Sequence, residues 1–176
     1  MNSDNFRAFR SENYPLLGEA GINIRYNSSA IIRPREWDKT PTFYKELDTR
    51  VSILKLHPGI TPQVVEHILC GKESRAVILE TYGAGNAPSK KWFLDQIHKA
   101  AEMGKILVNV TQCKAGSVNM DIYATGKCLK DEGVCSGYDG TTEGVLGKLF
   151  HLMGNSDNND VVKSMLEDNL RGEISK

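Results

Sequence analysis

The sequence predicts an α/β fold, in the form of a small three-layer domain with a parallel sheet of about four strands. From residue 51 onward, short β-rich runs alternate with segments of helical periodicity, which is the pattern typical of a parallel sheet. The β-rich runs are almost wholly apolar and do not alternate in polarity, as expected for strands that helices cover on both faces. We therefore expect residues 51–176 to form one domain around a buried sheet.

Three runs are predicted to be strands of this sheet: VSILKL at 51–56, AVILET at 76–81 and KILVNV at 105–110. A helix is predicted over 61–69, between the first two strands. Thr61 can serve as its N-cap, and Pro62 suits the first helical turn because its missing N–H would be unpaired there anyway. This strand–helix–strand order is that of a parallel crossover unit.

The second crossover helix is predicted over 89–104, with Ser89 as its N-cap and Gly104 at its end. Three further helices are predicted over 123–133, 141–154 and 158–170. The last of them follows an Asn cap and has four apolar residues on one stripe, Val161, Val162, Met165 and Leu166. These helices are expected to pack on the sheet.

The first 50 residues differ in kind. They contain one plausible strand, GINIRYN at 21–27, followed by a polar, proline-marked stretch. A lone strand cannot form a domain, because its backbone edges and apolar side chains need partners. We therefore expect three regions: 1–32 as the terminal part of another domain, 33–50 as an interdomain linker, and 51–176 as the second domain.

Composition excludes several classes of partner. The 22 basic and 22 acidic residues give no net charge, and no basic cluster interleaves with aromatic residues, so a nucleic-acid partner is not expected. The apolar runs are too short for a membrane helix, which needs roughly 20 residues. No CxxC pair, HxxxH pair or apolar signal core occurs, which favours a cytoplasmic protein with free thiols and neither metal nor cofactor.

A glycine-rich turn follows the second predicted strand, GAGNAP at 83–88. It lacks the third glycine of GxGxxG and any GK[ST], so it is not predicted to bind phosphate. Its position still matters, since ligands of open α/β sheets bind beyond the carboxyl ends of the strands. Asn86 could present an amide there to a polar ligand. Alternatively, it is a turn Asn that bonds its own backbone, which the sequence taken alone favours.

The next strand also ends in a polar loop. Thr111, Gln112 and Cys113 could line a small polar pocket. A nucleophilic Cys113 would need a nearby imidazole, and neither His98 nor His151 is placed by sequence to supply one. All four cysteines are therefore predicted to be buried, inert thiols.

The DGTTE segment at 139–143 suggests an activated hydroxyl, because a threonine stands beside a carboxylate. An acidic residue, a glycine and a threonine before an apolar helix are also typical of a helix start. The segment is interpreted as the start of the helix over 141–154.

Five segments together resemble the C-terminal portion of the type I L-asparaginases, the cytoplasmic bacterial form: NYPLLGEAGINIRYN at 13–27, TYGAGNAPSKK at 81–91, VNVTQCKAGSVNMDIYATG at 108–126, TTEGVLGKL at 141–149 and NLRGEIS at 169–175. The resemblance implies a larger N-terminal α/β domain, a linker and a smaller, flavodoxin-like C-terminal domain. On that template the chain starts inside the N-terminal domain.

In this family of amidohydrolases a threonine hydroxyl attacks the side-chain amide of asparagine, ammonia leaves, and water hydrolyses the acyl-enzyme. The family's catalytic residues belong to the N-terminal domain, its threonines to a TGGT and a DGTD segment. Neither segment occurs in this chain, so no catalytic residue is expected in it. The resemblance implies that the chain contributes to an intimate homodimer, extended in a homotetramer to a dimer of dimers. In that dimer Asn86 would reach L-asparagine bound in the neighbouring subunit.

Some type I enzymes also have a regulatory, allosteric asparagine site that uses the Thr and Cys of the TQC loop. Thr111 and Cys113 match these positions, and Thr81 lies in the preceding strand. That strand can end in RSYG in the family, whereas here Glu80 replaces the arginine and would repel a carboxylate. The site is expected to bind asparagine weakly or not at all, or to use another cation.

Three alternatives remain open from the sequence. The chain could be a free-standing amino-acid-binding module that uses the loops after residues 56, 81 and 110. It could be a purely structural dimerisation domain. It could also be part of an asparaginase-like amidotransferase, although the VTQC and VNMxxYATG segments argue against that.

Overall fold

The structure, a computed structural model, describes residues 12–33, 40 and 42–175. These residues divide into two compact units, unit 1 ending at Phe43 and unit 2 beginning at Tyr44. Much of the predicted linker lies outside the described residues, so the predicted boundaries at 32 and 50 stay predictions. None of the described helices has the length and apolar character needed to cross a bilayer.

Unit 1 contains an antiparallel hairpin of two short strands, β1 (Gly18–Ala20) and β2 (Ile24–Tyr26). The expectation of a lone strand is therefore wrong, because the predicted strand pairs with a neighbour inside the same unit. The sequence did not reveal β1, since its three residues, GEA, have low strand propensity. All six strand residues are solvent-exposed.

Unit 2 is built on four parallel strands in the order of the chain, β3 (Val51–Lys55), β4 (Ala76–Thr81), β5 (Ile106–Thr111) and β6 (Cys135–Ser136). The predicted α/β fold with a parallel sheet of about four strands is confirmed. The strand β6 has only two residues, too few for its sequence to signal a strand.

Five helices cover the sheet: α1 (Pro62–Cys70), α2 (Lys91–Glu102), α3 (Ala124–Asp131), α4 (Thr142–Asn155) and α5 (Asn159–Leu166). The strands add in one direction, so right-handed crossovers place α1, α2 and α3 on one face. The last two helices follow β6 and cover the other face. Two buried cores result, one with Leu79 beneath Phe93 and Leu129, the other with Ile78 beneath Leu149 and Val162.

Three predicted helix starts are confirmed by side-chain caps. The cap residues Thr61, Thr141 and Asn158 accept hydrogen bonds from backbone N–H groups of the first turns of α1, α4 and α5. The interpretation of the DGTTE segment as a helix start is therefore correct. It places Thr141 in a structural role, because its hydroxyl accepts from Gly144 N at 3.1 Å.

The predicted cap of α2 is wrong at its start and correct at its end. Lys90, not Ser89, is the N-cap, since the Lys90 carbonyl accepts the first helical bond from Phe93 N at 2.9 Å. The Ser89 hydroxyl thus stands one residue too early to cap. Gly104 has φ +77° and ends the helix with the paired backbone bonds of a Schellman motif.

The apolar stripe predicted for the last helix is narrower than expected. In α5, Val162 and Leu166 are buried, whereas Val161 is 43% exposed and Met165 37% exposed. The helix also ends at Leu166 rather than at residue 170. A two-turn helix with one sheet face to cover buries only the residues at i and i+4.

The segment after α5 is attached to α4 by a buried ion pair. The Lys148 side chain is 5% exposed, and its Nζ lies 2.7 Å from Glu173 Oε1. Backbone N–H groups of Leu170 and Arg171 also donate to the Glu173 carboxylate. Burial by itself raises the pKa of Glu173, but the Lys148 bond and these backbone bonds outweigh it and lower the pKa to about 2.

Because the folded-state pKa of Glu173 lies below its ordinary value, the ion pair stabilises the fold above about pH 4.5 and loses its effect as the pH falls towards about 2. We expect Lys148→Met to lower the free energy of unfolding by about 3 kcal/mol near neutral pH, because it leaves a largely buried carboxylate without its cation. Urea unfolding should show this difference shrinking at about pH 3. The exposed Lys127→Met is the control, and a difference independent of pH would contradict the account.

Candidate functional site

A tight turn at the carboxyl end of β4 presents Asn86. Tyr82 and Asn86 pair across the turn through two backbone bonds, Tyr82 N to Asn86 O at 2.8 Å and Asn86 N to Tyr82 O at 2.7 Å. The residues between them include Gly83 at φ +51° and Gly85 at φ +98°. These φ angles explain why the turn needs glycine, since side chains strain such a backbone.

Gly85 also permits a close approach to its neighbours. A Cβ atom at this position would lie 2.7 Å from Val118 Cγ1 and 3.1 Å from Asn109 Nδ2. The fully buried Asn109 donates from Nδ2 to the Gly85 carbonyl at 2.9 Å and accepts at Oδ1 from the Thr81 hydroxyl at 2.6 Å. A buried hydrogen-bond network therefore ties the turn to both β4 and β5.

The loop between β5 and α3 packs against the same turn. Asn119 N donates to the Ala84 carbonyl at 2.9 Å. At the start of α3, a Cβ on Gly126 would lie 2.6 Å from the Met120 carbonyl oxygen, so helix and loop are in close contact there. The first turn of α3 is thereby held beside Asn86.

The Asn86 amide is hydrogen-bonded on its oxygen side. Its Oδ1 accepts from Ala87 N at 3.1 Å and from the Thr125 hydroxyl at the start of α3. In the part of the chain that the structure describes, no group accepts a bond from Asn86 Nδ2. The geometry thus combines the two interpretations of the sequence, a local turn bond through the oxygen and a half-buried amide nitrogen directed at a ligand.

The TQC loop is arranged differently from the predicted polar pocket. Gln112 Nε2 donates to the backbone carbonyls of Leu56 at 2.6 Å and Glu80 at 2.8 Å, so this side chain joins the ends of β3 and β4. Thr111 donates to the Gly83 carbonyl and accepts from Cys113 N at 3.0 Å. The Gln112 amide is therefore not available to a pocket.

The candidate regulatory residues lie at different depths. Thr81 is fully buried beneath the turn, Thr111 is half-buried, and Cys113 is exposed. The Thr81 hydroxyl already donates to Asn109. Their role toward asparagine stays a prediction.

The prediction of four buried thiols is wrong for three of the cysteines. Cys113 is exposed because it lies just past the last residue of β5, and Cys70 and Cys128 are half-buried. Cys135 is buried, and burial raises the pKa of its thiol to about 12. All four are free thiols. His98 is engaged elsewhere, with Nδ1 2.7 Å from Glu132 Oε2.

Glu80 is paired within unit 2. Its Oε1 accepts from the Thr142 hydroxyl at 2.7 Å, and its Oε2 lies 3.5 Å from Nζ of Lys55, the residue opposite it in the register of β3 and β4. The Lys55 side chain is 69% exposed, so its ammonium remains accessible. Sequence reasoning missed this cation, because only the strand register brings it to Glu80.

The described surface includes two open clefts of about 310 and 330 Å³. One lies between α1 and α2 beside Cys70, and the other lies near Arg75 and Lys105. Neither contains Asn86, Thr111 or Cys113. Among the described side chains, no group of three or more His, Cys, Asp or Glu is placed to hold a metal ion.

Comparison with known proteins assigns relatives to this chain. Residues 50–166 match the family described as the glutaminase/asparaginase C-terminal domain. L-asparaginase 1 of Escherichia coli strain K12 is 37% identical over 99% of this chain and 51% of that protein. The 60 kDa lysophospholipase of Mus musculus is 34% identical over 99% of this chain and 31% of that protein.

Two further similarities extend this result. A glutamyl-tRNA(Gln) amidotransferase of Sulfurisphaera tokodaii has a polypeptide that is 34% identical over 74% of this chain and 28% of its own length. The crystal structure of L-asparaginase I from Vibrio cholerae superposes with a TM-score of 0.90 and 39% identity, over all of this chain and 52% of the other. The chain thus spans about half, or less, of the length of these proteins.

Proposed function

The chain belongs to the glutaminase/asparaginase C-terminal domain family, and from this membership we propose that it serves as the C-terminal part of an L-asparaginase. The proposed reaction of the whole protein is hydrolysis of the side-chain amide of L-asparagine to L-aspartate and ammonia. The identity to an asparaginase over 99% of the chain and the TM-score of 0.90 to a second one support it. The amidotransferase relative matches less of the chain.

One observation carries the role proposed for this chain. Asn86 is fixed through its carbonyl oxygen at the carboxyl edge of the sheet, while its amide nitrogen has no acceptor among the described residues. We propose that this N–H donor contacts substrate bound in a neighbouring subunit of a homodimer. The position of Asn86 outside the two described clefts supports a site that a second surface completes.

The division of chemistry follows from the residues present. The chain contains neither a TGGT nor a DGTD segment, so the nucleophile and its base are proposed to lie outside these 176 residues. Its share is to bind and orient the substrate through Asn86 and to form part of the subunit interface, with a dimer of dimers as the larger assembly. The proposed compartment is the cytoplasm, which the four free thiols support.

The regulatory asparagine site is proposed to bind weakly or not at all. Glu80 stands where a cation would receive a carboxylate, and its charge is offset by Lys55 and Thr142 rather than removed. Thr81 is buried and its hydroxyl is already bonded. Lys55 is the cation that such a site would use if it operates, because its ammonium is accessible at the same sheet edge.

Ammonia release from L-asparagine tests the proposed division. The 176-residue chain alone is expected to release none above the rate of buffer. A chimera in which unit 2 replaces the matching domain of E. coli L-asparaginase 1 is expected to be active. Turnover by the chain alone would contradict the proposal. Stabilisation of the chain by asparagine in a thermal-shift assay, together with an inactive chimera, would favour the free-standing binding module.

A further inference from the structure

We propose that Thr125 is a positioning residue for Asn86 and that it commits the Asn86 amide to donate hydrogen bonds to its ligand. The inference rests on the proposed function, in which Asn86 contacts substrate. It specifies the chemistry of that contact: the ligand group that Asn86 recognises is an acceptor, a carboxylate or carbonyl oxygen, and not an ammonium group.

The orientation of the amide follows from a donor that cannot reverse. Ala87 N–H lies 3.1 Å from the Asn86 side chain, and a backbone N–H can only donate. With the amide turned over, the side-chain NH₂ would face this N–H, and a hydrogen bond would be replaced by a donor–donor contact. The Asn86 oxygen must therefore face Ala87, and the nitrogen must face away from it.

Thr125 adds a second bond to the same oxygen. Its hydroxyl donates to Asn86 Oδ1 from a residue 39 positions later in the chain. Two donors on one oxygen hold the amide more firmly than one, and the Ala87 bond alone spans adjacent residues. The Thr125 bond is therefore the contact that links Asn86 to a separate element, the first turn of α3.

The position of Thr125 does not depend on its own hydroxyl. Gly126 packs directly on Met120, where a Cβ would lie 2.6 Å from the Met120 carbonyl oxygen. Asn119 N, one residue before Met120, donates to the Ala84 carbonyl of the turn. Helix and turn are thus held together through the backbone. Removing the Thr125 hydroxyl should release the Asn86 amide without displacing α3.

What remains for a ligand is the Asn86 NH₂ group. It carries two N–H donors and no lone pair available for hydrogen bonding. No described residue accepts from it, and the side chain is half-buried, so a ligand oxygen would satisfy it at little cost in side-chain entropy. A ligand ammonium would meet a donor of its own kind.

Isosteric variants of Asn86 in the chimera give opposite signs for the two ligand chemistries. Asn86→Ala removes the donor and is expected to raise KM for asparagine about tenfold, with kcat less affected. Asn86→Asp keeps the shape but replaces NH₂ by a charged oxygen, so it should raise KM further, by about a hundredfold, through repulsion of the ligand oxygen. An Asn86→Asp variant that binds better than Asn86→Ala would overturn the inference.

Thr125 is tested by a matched pair. Thr125→Val removes the hydroxyl at nearly constant volume and is expected to raise KM about fivefold. Thr125→Ser retains the hydroxyl and should restore KM to near the wild-type value. Equal effects of Val and Ser would overturn the positioning role. If Asn86→Ala itself leaves KM and kcat unchanged, the proposed contact with substrate fails as well, and the two failures are thereby distinguished.

A measurement on the 176-residue chain needs no activity. NMR should show a slowly exchanging Thr125 hydroxyl proton, because that proton is held by Asn86 Oδ1. The exchange should become fast in Asn86→Ala. Fast hydroxyl exchange in the unaltered chain would overturn the inference whatever the chimera does.

Discussion

Replacing Gly85 by alanine is expected to lower the free energy of unfolding of the chain by about 3 kcal/mol. Two costs add at this position. The backbone has φ +98°, which strains any residue with a Cβ, and the new methyl group would lie 2.7 Å from Val118 Cγ1. Asn109 Nδ2 at 3.1 Å and its bond to the Gly85 carbonyl restrict the movement that could relieve the contact.

Gly83→Ala provides the matched control in the same turn. Gly83 also has a positive φ, +51°, but a Cβ there would have no neighbour within 4 Å. It should cost about 1 kcal/mol, the backbone term alone. Urea unfolding followed by circular dichroism measures both variants. Equal losses would mean that the close approach of the turn to Val118 contributes nothing.

The sheet could be predicted from the sequence because its signal is local. A buried parallel strand is an unbroken apolar run, and β3, β4 and β5 each have one. The caps of α1, α4 and α5 were predictable for the same reason, since Thr or Asn stands directly before an apolar periodic segment.

The errors occur where tertiary contacts decide. The strand β6 is two residues long and exists only because β5 offers an edge to pair with. In α5 the sheet determines which apolar residues are buried, and periodicity alone could not tell Val162 from Val161. Ser89 and Lys90 both precede a helical pattern, and the backbone path after Pro88 selects Lys90.

The candidate site divides in the same way. Asn86 could be singled out because a turn after a strand places it at the ligand edge of the sheet. Thr125 could not, because 39 residues separate it from Asn86 and its motif gives no sign of the contact. Lys55 and Glu80 become neighbours only through the register of β3 and β4.

The central claim is that Asn86 completes the active site of a partner subunit, and mixed dimers of the chimera test it most directly. One subunit would have Asn86→Ala, and the other would lack the nucleophilic threonine that the family resemblance places in the other domain. Each variant alone should have little activity. If Asn86 acts across the interface, one site of each mixed dimer contains both an intact nucleophile and an intact Asn86.

Random mixing of equal amounts is then expected to restore about a quarter of the activity of the unaltered chimera, because half the dimers are mixed and each has one competent site. Mixing two samples of the same variant is the control. If the mixed sample shows no more activity than the two variants assayed separately, Asn86 acts within its own subunit or not at all, and the account is contradicted.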